Sequence, residues 1–330
     1  MTKDEGRMTK DDEGRRTKDD EGRKTKDESV PSSSVIRLLS KSLIEEIFDG
    51  AAERYDREGP TVFQSWGARL VEWLGLRGGE RVLDVATGRG AVLIPAAQGV
   101  GRWGRVVGID LSHKMLEQTE DAARAAGLDN FELYKMDAEH LEFRDEIFDV
   151  VTCAFSLFFF PALDVALREM RRVLRVGGTF GATTFGTTPP PFEPGWRMFA
   201  EQMRAYDAVV RTPGRVAYTP EELRVVLTDA GFARVETRLE QYDVVFTNED
   251  DWWAFQFTLG SRAALLQMSD ETRARFKEEY LAKMRPLFRD DGLHLGVSVV
   301  YAIGRRQVAV GGEAGGGRQS TQYGILSQQR

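Results

Sequence analysis

The stretch that most constrains this chain is Glu80 to Gly90, ERVLDVATGRG. Val82, Leu83 and Val85 surround a single acid, Asp84, in a compact β-type run. Ala86, Thr87, Gly88, Arg89 and Gly90 then form a turn built mainly of small residues, and AVLIPAA reads as a helix. Strand, small-residue turn and helix make the opening unit of a nucleotide-binding α/β domain. Small residues let the backbone approach a ligand and aim its N–H groups at it. Glycine turns after strands are common, so the sequence around this one decides its meaning.

The chain beyond it alternates regularly. RVVGIDL (105–111) reads as a strand, HKMLEQTEDAARAAG as a helix stopped by Gly127, and FELYKMD (131–137) as the next strand. A fourth strand starts at Phe148, a helix runs from Ala162 to a glycine pair at 177–178, and TFGATTFG (179–186) is the fifth strand. Strands alternating with helices imply right-handed crossovers and a parallel sheet. Residues 187–220 break the rhythm with prolines and a helical run. Thr219 and Pro220 then restart a helix as N-cap and first residue. ARVETRLEQYDVVF is a sixth strand, helices follow near 249–266 and 270–287, and LHLGVSVVYAIGRR is a seventh. The expected fold is α/β, a doubly wound seven-stranded Rossmann-like sheet with helical N-terminal and inserted lid elements.

Five segments follow from this pattern. Residues 1–33 hold a repeat of TKDEGR type with no apolar face and are expected to be disordered. Residues 34–79 carry apolar residues at helical spacing and read as a helical lid, packing over the ligand mouth or across a homo-oligomer interface. Residues 80–186 are the ligand-binding core, and residues 187–306 hold the helical insertions and last two strands, where substrate recognition is expected. The Gly-, Ser- and Gln-rich tail, 307–330, is expected to be disordered.

Charge and composition exclude several classes. A net charge of −7 argues against a nucleic-acid partner, which calls for a basic footprint. No apolar stretch is long enough to span a membrane, and the charged N-terminus has no apolar h-region, so a cytoplasmic location is expected. The one cysteine, Cys153, lies in an apolar run and reads as a buried, inert thiol. No His, Cys and acid spacing matches a metal site.

Two ligand classes suit the turn. A dinucleotide needs its pyrophosphate on the helix N-terminus and an acid about 20 residues on for the ribose, and Asp110 fits that acid. An adenosyl ligand without phosphate needs the same acid. Asp84 puts a carboxylate where an ammonium or sulfonium benefits and a pyrophosphate does not, which favours the adenosyl ligand. Asp137-Ala138 closing the third strand, Asp149 opening the fourth, and LREMRRVLRVGGTF leading into the fifth agree.

With these motifs the sequence resembles the class I S-adenosylmethionine-dependent methyltransferases. The likeness is greatest to the small-molecule group that includes the ubiquinone and menaquinone biosynthesis enzymes. The resemblance implies S-adenosylmethionine as cofactor. It places Ala86, Thr87, Gly88 and Gly90 at the methionine end, Asp84 near the amino group and Asp110 on the ribose. It also places Leu111 and Met115 on the adenine face, Asp137 and Ala138 at the adenine edge, Ala154 and Phe155 beside the methyl, and Tyr55 in the lid. Ala86 stands where many members have glycine, which costs little if φ is negative there. The fourth strand ends in Ala-Phe-Ser-Leu, without the Asn/Asp-Pro-Pro-aromatic signature of the amine- and amide-modifying branches.

Methyl transfer to a phenol or carbon needs a base, and no residue identifies itself as one. Phe159, Trp196 and Trp252 belong to an aromatic load that suggests a small, largely apolar acceptor: an aromatic, polyketide or prenylated metabolite of secondary metabolism. The alternatives are a cofactor-binding relative that catalyses another reaction, such as a cyclisation, and a nicotinamide-dependent oxidoreductase.

Overall fold

The computed structural model describes residues 40–307, residues 58 and 209 excepted, together with the backbone of Arg37–Leu38. The charged repeat and the tail from residue 308 onward lie outside the described residues. In chain order the elements are β1 (Arg37–Leu38), α1 (Lys41–Ala51), α2 (Val62–Leu74), β2 (Arg81–Val85), α3 (Leu93–Val100), β3 (Arg105–Asp110), α4 (His113–Ala125), β4 (Phe131–Lys135) and β5 (Phe148–Ala154). There follow α5 (Leu163–Val173), β6 (Leu174–Gly186), α6 (Gly195–Ala205), β7 (Val210–Arg211), β8 (Ala217–Tyr218), α7 (Pro220–Asp229) and β9 (Phe232–Phe246). The last are α8 (Glu249–Phe255), α9 (Arg262–Gln267), α10 (Asp270–Met284) and β10 (Leu293–Arg306).

The main sheet runs β4-β3-β2-β5-β6-β10-β9, with the short β8 beside β6. β2 to β6 pair in parallel, as the alternation of strands and helices requires. β10 departs from that pattern and runs antiparallel to both β6 and β9. The reason lies in α8 to α10. These helices follow the carboxyl end of β9, and Leu293 of β10 starts opposite Phe246, the last residue of β9. The chain therefore re-enters the sheet from the end at which it left.

Alternate residues of each strand enter opposite cores, which is the period-two geometry of a sheet covered on both faces. Val82, Val106, Val150 and Val299 pack on one face with α2, α3 and the inserted helices. Leu83, Val107, Val151 and Val300 pack on the other with Leu167 and Met170 of α5 and Leu223 and Leu227 of α7. Gly67 brings α2 hard against the start of α3, because a Cβ there would lie 2.4 Å from the Ala91 carbonyl oxygen.

Two local expectations shift. Helical spacing from residue 35 onward does not hold at Arg37–Leu38, which pair as a strand with Val210–Arg211, and α1 begins only after its Ser40 cap. α5 ends at Val173 rather than at the glycine pair, and the chain extends directly into β6. Arg306 explains that stop. Its Nη1 donates to the carbonyls of Arg171, Arg172 and Leu174, supplying cationic donors where the helix leaves carbonyls open.

Candidate active site

Strand order reverses between β2 and β5, and open α/β sheets hold ligands in the crevice at that point, beyond the carboxyl ends of the strands. Three adjoining cavities lie there. The first, about 90 Å³, is lined by ten of the thirteen residues that the sequence nominated for the cofactor: Tyr55, Ala86, Gly88, Asp110, Leu111, Met115, Asp137, Ala138, Ala154 and Phe155. Asp84 and Thr87 line the third cavity, about 50 Å³, beneath the glycine turn. Gly90 lines none of the three. Its φ of +79° serves the turn, and it faces Thr119 and Ile94.

Asp110 ends β3 and ties the turn to the next strand. Its carboxylate accepts from the Gly88 N–H and the Ser112 N–H, each at 2.9 Å. Desolvation in the crevice, with no cation beside it, pushes this carboxyl up to about 6, against the pull of those N–H groups. Such an acid is short of donors, and hydroxyls from a ligand would supply them.

Asp84, expected near a ligand amino group, lines the third cavity and is held by threonines of the protein itself. Its two oxygens accept from Thr87 Oγ1 at 2.6 Å and Thr152 Oγ1 at 2.8 Å, and only 1% of the residue is exposed. It therefore braces the turn from below. Burial pushes its carboxyl up to about 6 as well. A folded-state value above the unfolded one means that the folded state binds more protons, so this group's contribution to stability falls as pH rises from about 4 through about 6. Asp84→Asn, which keeps the shape, is expected to gain stability relative to the parent across that window. Paired thermal melts from pH 4 to 7 check this, and a difference that does not change with pH would sink it.

Ala86 carries a correction. Its φ is +54°, in the left-handed region, so the alanine sits under strain instead of in an ordinary extended conformation. Phe155, the residue after β5, is strained in the same way at +52°, and its N–H donates to the Thr183 carbonyl at 2.9 Å. Backbone strain of this kind persists where the surroundings over-determine it, as they do at a ligand clamp.

α1 closes the first cavity from above. Asp49 accepts from Ser112 Oγ at 2.5 Å, Glu45 pairs with Lys135 at 2.5 Å, and Lys41 bonds Asp137 at 2.7 Å and also Glu139. Burial works against ionisation of Asp137, but Lys41 prevails and holds its carboxyl below the ordinary value. Asp137, nominated for an adenine edge, is thus already engaged by Lys41 of α1.

The sequence reading passed over Arg89. It is buried, donates from Nη1 to the Tyr55 carbonyl at 2.7 Å, leaves its buried Nε without a partner, and lines the third cavity. Burial, reinforced by Arg57, lowers its pKa. The only signal was an arginine standing between two turn glycines.

The second cavity is the large one, about 680 Å³. It shares Phe48, Tyr55, Phe155 and Phe159 with the first. Tyr55 stacks on Phe63 at 5.4 Å, Phe63 meets Phe155 at 5.2 Å, and Phe48 meets Phe159 at 5.2 Å, so aromatic faces ring the junction. Phe159 and Trp196 line this cavity as expected. Trp252 does not: it is fully buried, and its Nε1 donates to Tyr280 Oη at 2.7 Å inside the core of the inserted helices. The three histidines stand apart. His113 pairs with Glu117, His140 lies near Asp137, and His294 sits between Asp243 and Asp291. Cys153 is buried, and burial pushes its thiol up to about 12. Among the described residues no cluster suits a metal ion, and no helix is long and apolar enough to cross a membrane.

Known proteins share this arrangement. The family model described as the ubiE/COQ5 methyltransferase family matches residues 37–203. An aklanonic acid methyltransferase of Streptomyces sp. (strain C5) is 37% identical over 207 residues, covering 59% of this chain and 94% of its own. Nocamycin O-methyltransferase of Saccharothrix syringae is 29% identical over 279 residues, 80% of this chain and 99% of its own. A crystal structure of the cyclase SpnF superposes with a TM-score of 0.53 at 20% identity, covering 83% of this chain and 98% of that one, and speaks for the fold alone. With the fold, the crevice and these relatives in agreement, the chain belongs to the ubiE/COQ5 methyltransferase family and is an S-adenosylmethionine-dependent methyltransferase.

Proposed function

We propose that the chain transfers a methyl group to an oxygen or carbon atom of a large, flat, mostly apolar metabolite of the aromatic or polyketide kind. The cavity of about 680 Å³ carries this reading, because its walls are largely apolar and rich in aromatic residues, and it meets the cofactor slot at four aromatic residues. The names of the relatives support it, one acting on aklanonic acid and one being an O-methyltransferase.

The residues present fit the cofactor. Asp110 is a half-buried acid that faces the slot without a cationic partner and suits the ribose hydroxyls. Leu111, Met115 and Ala138 form an apolar slot for the adenine. Arg89, with Nε unpartnered beside the turn, suits the methionine carboxylate. When bound, S-adenosylmethionine supplies a methyl group on a cationic sulfonium, with a neutral thioether as leaving group. Tyr55, Phe155 and Phe159 present faces that attract a cation and exclude water, and they hold the acceptor in line with the methyl. The slot, at about 90 Å³, is roofed by α1, which Lys41, Glu45 and Asp49 hold to the sheet side through Asp137, Lys135 and Ser112.

The test is incubation with S-adenosylmethionine and a panel of polycyclic aromatic acids, phenols and quinols, followed by mass analysis. The expected product is heavier by one methylene and appears in step with S-adenosylhomocysteine. A changed product formed without cofactor consumption would point to cyclisation-type chemistry instead.

A further inference from the structure

The large cavity has a charge asymmetry that an apolar acceptor alone does not use. Its charged lining residues are Glu193, Arg197, Arg204 and Arg211. Arg197 is committed, donating to Glu193 at 2.6 Å and to Glu201 at 3.4 Å. Arg204 and Arg211 are exposed and make no ion pair or side-chain hydrogen bond among the described residues. Arg204 follows Arg197 by seven residues on α6, on the stripe that faces the cavity, and Arg211 ends β7. In a chain of net charge −7, two uncompensated guanidiniums on a mainly apolar wall are an anion attractor, and low-dielectric walls focus their field.

The groups around the reacting junction point the same way. Tyr55 is held well above the ordinary tyrosine value by burial and then by Asp56 and Asp110, so its hydroxyl stays protonated. Glu193, the one carboxylate lining the large cavity among the described residues, is held by Arg197. In the slot, Asp137 is tied to Lys41, and Asp110 accepts from two backbone N–H groups. A nucleophile that is already ionised needs none of them as a base.

We propose, resting on the methyl-transfer reading above, that the acceptor is an aromatic anion which Arg204 and Arg211 receive and which reacts in its ionised form. A lone pair of the anionic oxygen forms the new O–C bond while the S–C bond breaks with its pair left on sulfur. No proton moves, and one positive and one negative charge cancel. Cancellation of charge is favoured where water is excluded, as it is between aromatic walls.

Two dyes of nearly the same shape test this. 1-Anilinonaphthalene-8-sulfonate carries a negative charge and N-phenyl-1-naphthylamine does not. Fluorescence titration of the full chain and of the Arg204→Gln/Arg211→Gln double variant is expected to show about a tenfold loss of affinity for the sulfonate with the neutral dye unchanged. Ala200→Trp, which fills the cavity, is expected to remove binding of both dyes, locating them there. Sulfonate binding unchanged in the double variant, equal loss of both dyes, or dye binding that survives Ala200→Trp would each overturn the proposal. Calorimetry with S-adenosylhomocysteine separates the two levels. Absence of cofactor binding in the parent chain would remove the methyl-transfer reading itself. Normal binding with no discrimination between the dyes would remove only the anionic acceptor.

Discussion

Asp110→Ala is expected to lower the affinity for S-adenosylhomocysteine by at least about tenfold, the scale of losing charge-assisted hydrogen bonds to a ligand. The carboxylate performs two tasks at once. It receives Gly88 and Ser112 N–H groups, which fixes the glycine turn against β3, and it faces the slot where hydroxyls would meet its remaining lone pairs. Alanine removes both, leaving two N–H groups without acceptors. Isothermal titration measures the affinity, and a thermal melt of the unliganded variant shows how much of the change is loss of fold. Unchanged affinity would take Asp110 out of the site.

Arg89→Met is expected to weaken S-adenosylhomocysteine binding by about one order of magnitude while leaving 5′-methylthioadenosine nearly unaffected. The second ligand has the adenosine and the sulfur but no amino-acid end. A guanidinium that meets the carboxylate distinguishes the two; one that merely ties the turn to the lid through the Tyr55 carbonyl weakens both alike. Methionine keeps much of the buried apolar stem and removes the charge, which limits the disturbance to packing. Parallel titrations of the two ligands against parent and variant yield the answer in one comparison. Equal losses would assign Arg89 a structural role only.

Much of the site was legible because its signals are local. Asp110 stands out as an acid at the end of the strand that follows the glycine turn, and the resemblance carried by VVGIDLSHKML nominates Met115 in the first turn of the next helix. Both line the slot. The N-cap at Thr219 with Pro220 at the first helical position was equally readable, since adjacent residues specify it, and the structure adds a capping box with Glu222. Trp252 was misplaced for a physical reason: large aromatics serve cores and pockets alike, and its indole N–H found Tyr280, a partner distant in sequence. Ala86 was misjudged because residue type biases φ without fixing it, and here the turn imposes +54° on a residue that resists it.

The sequence by itself determined the doubly wound sheet, the strand that opens it, and the acids at the ends of the strands. These rest on period-two and helical patterns and on turns a few residues long, which neighbouring side chains settle. Only the tertiary structure decided which polar groups remain unsatisfied. Asp84 is consumed by two threonines, Asp137 by a lysine from α1, and Arg197 by glutamates. Arg89 keeps a free Nε, and Arg204 and Arg211 keep their charge. Whether a charged group is spent or available depends on partners brought near by folding, and most of those partners lie far away along the chain.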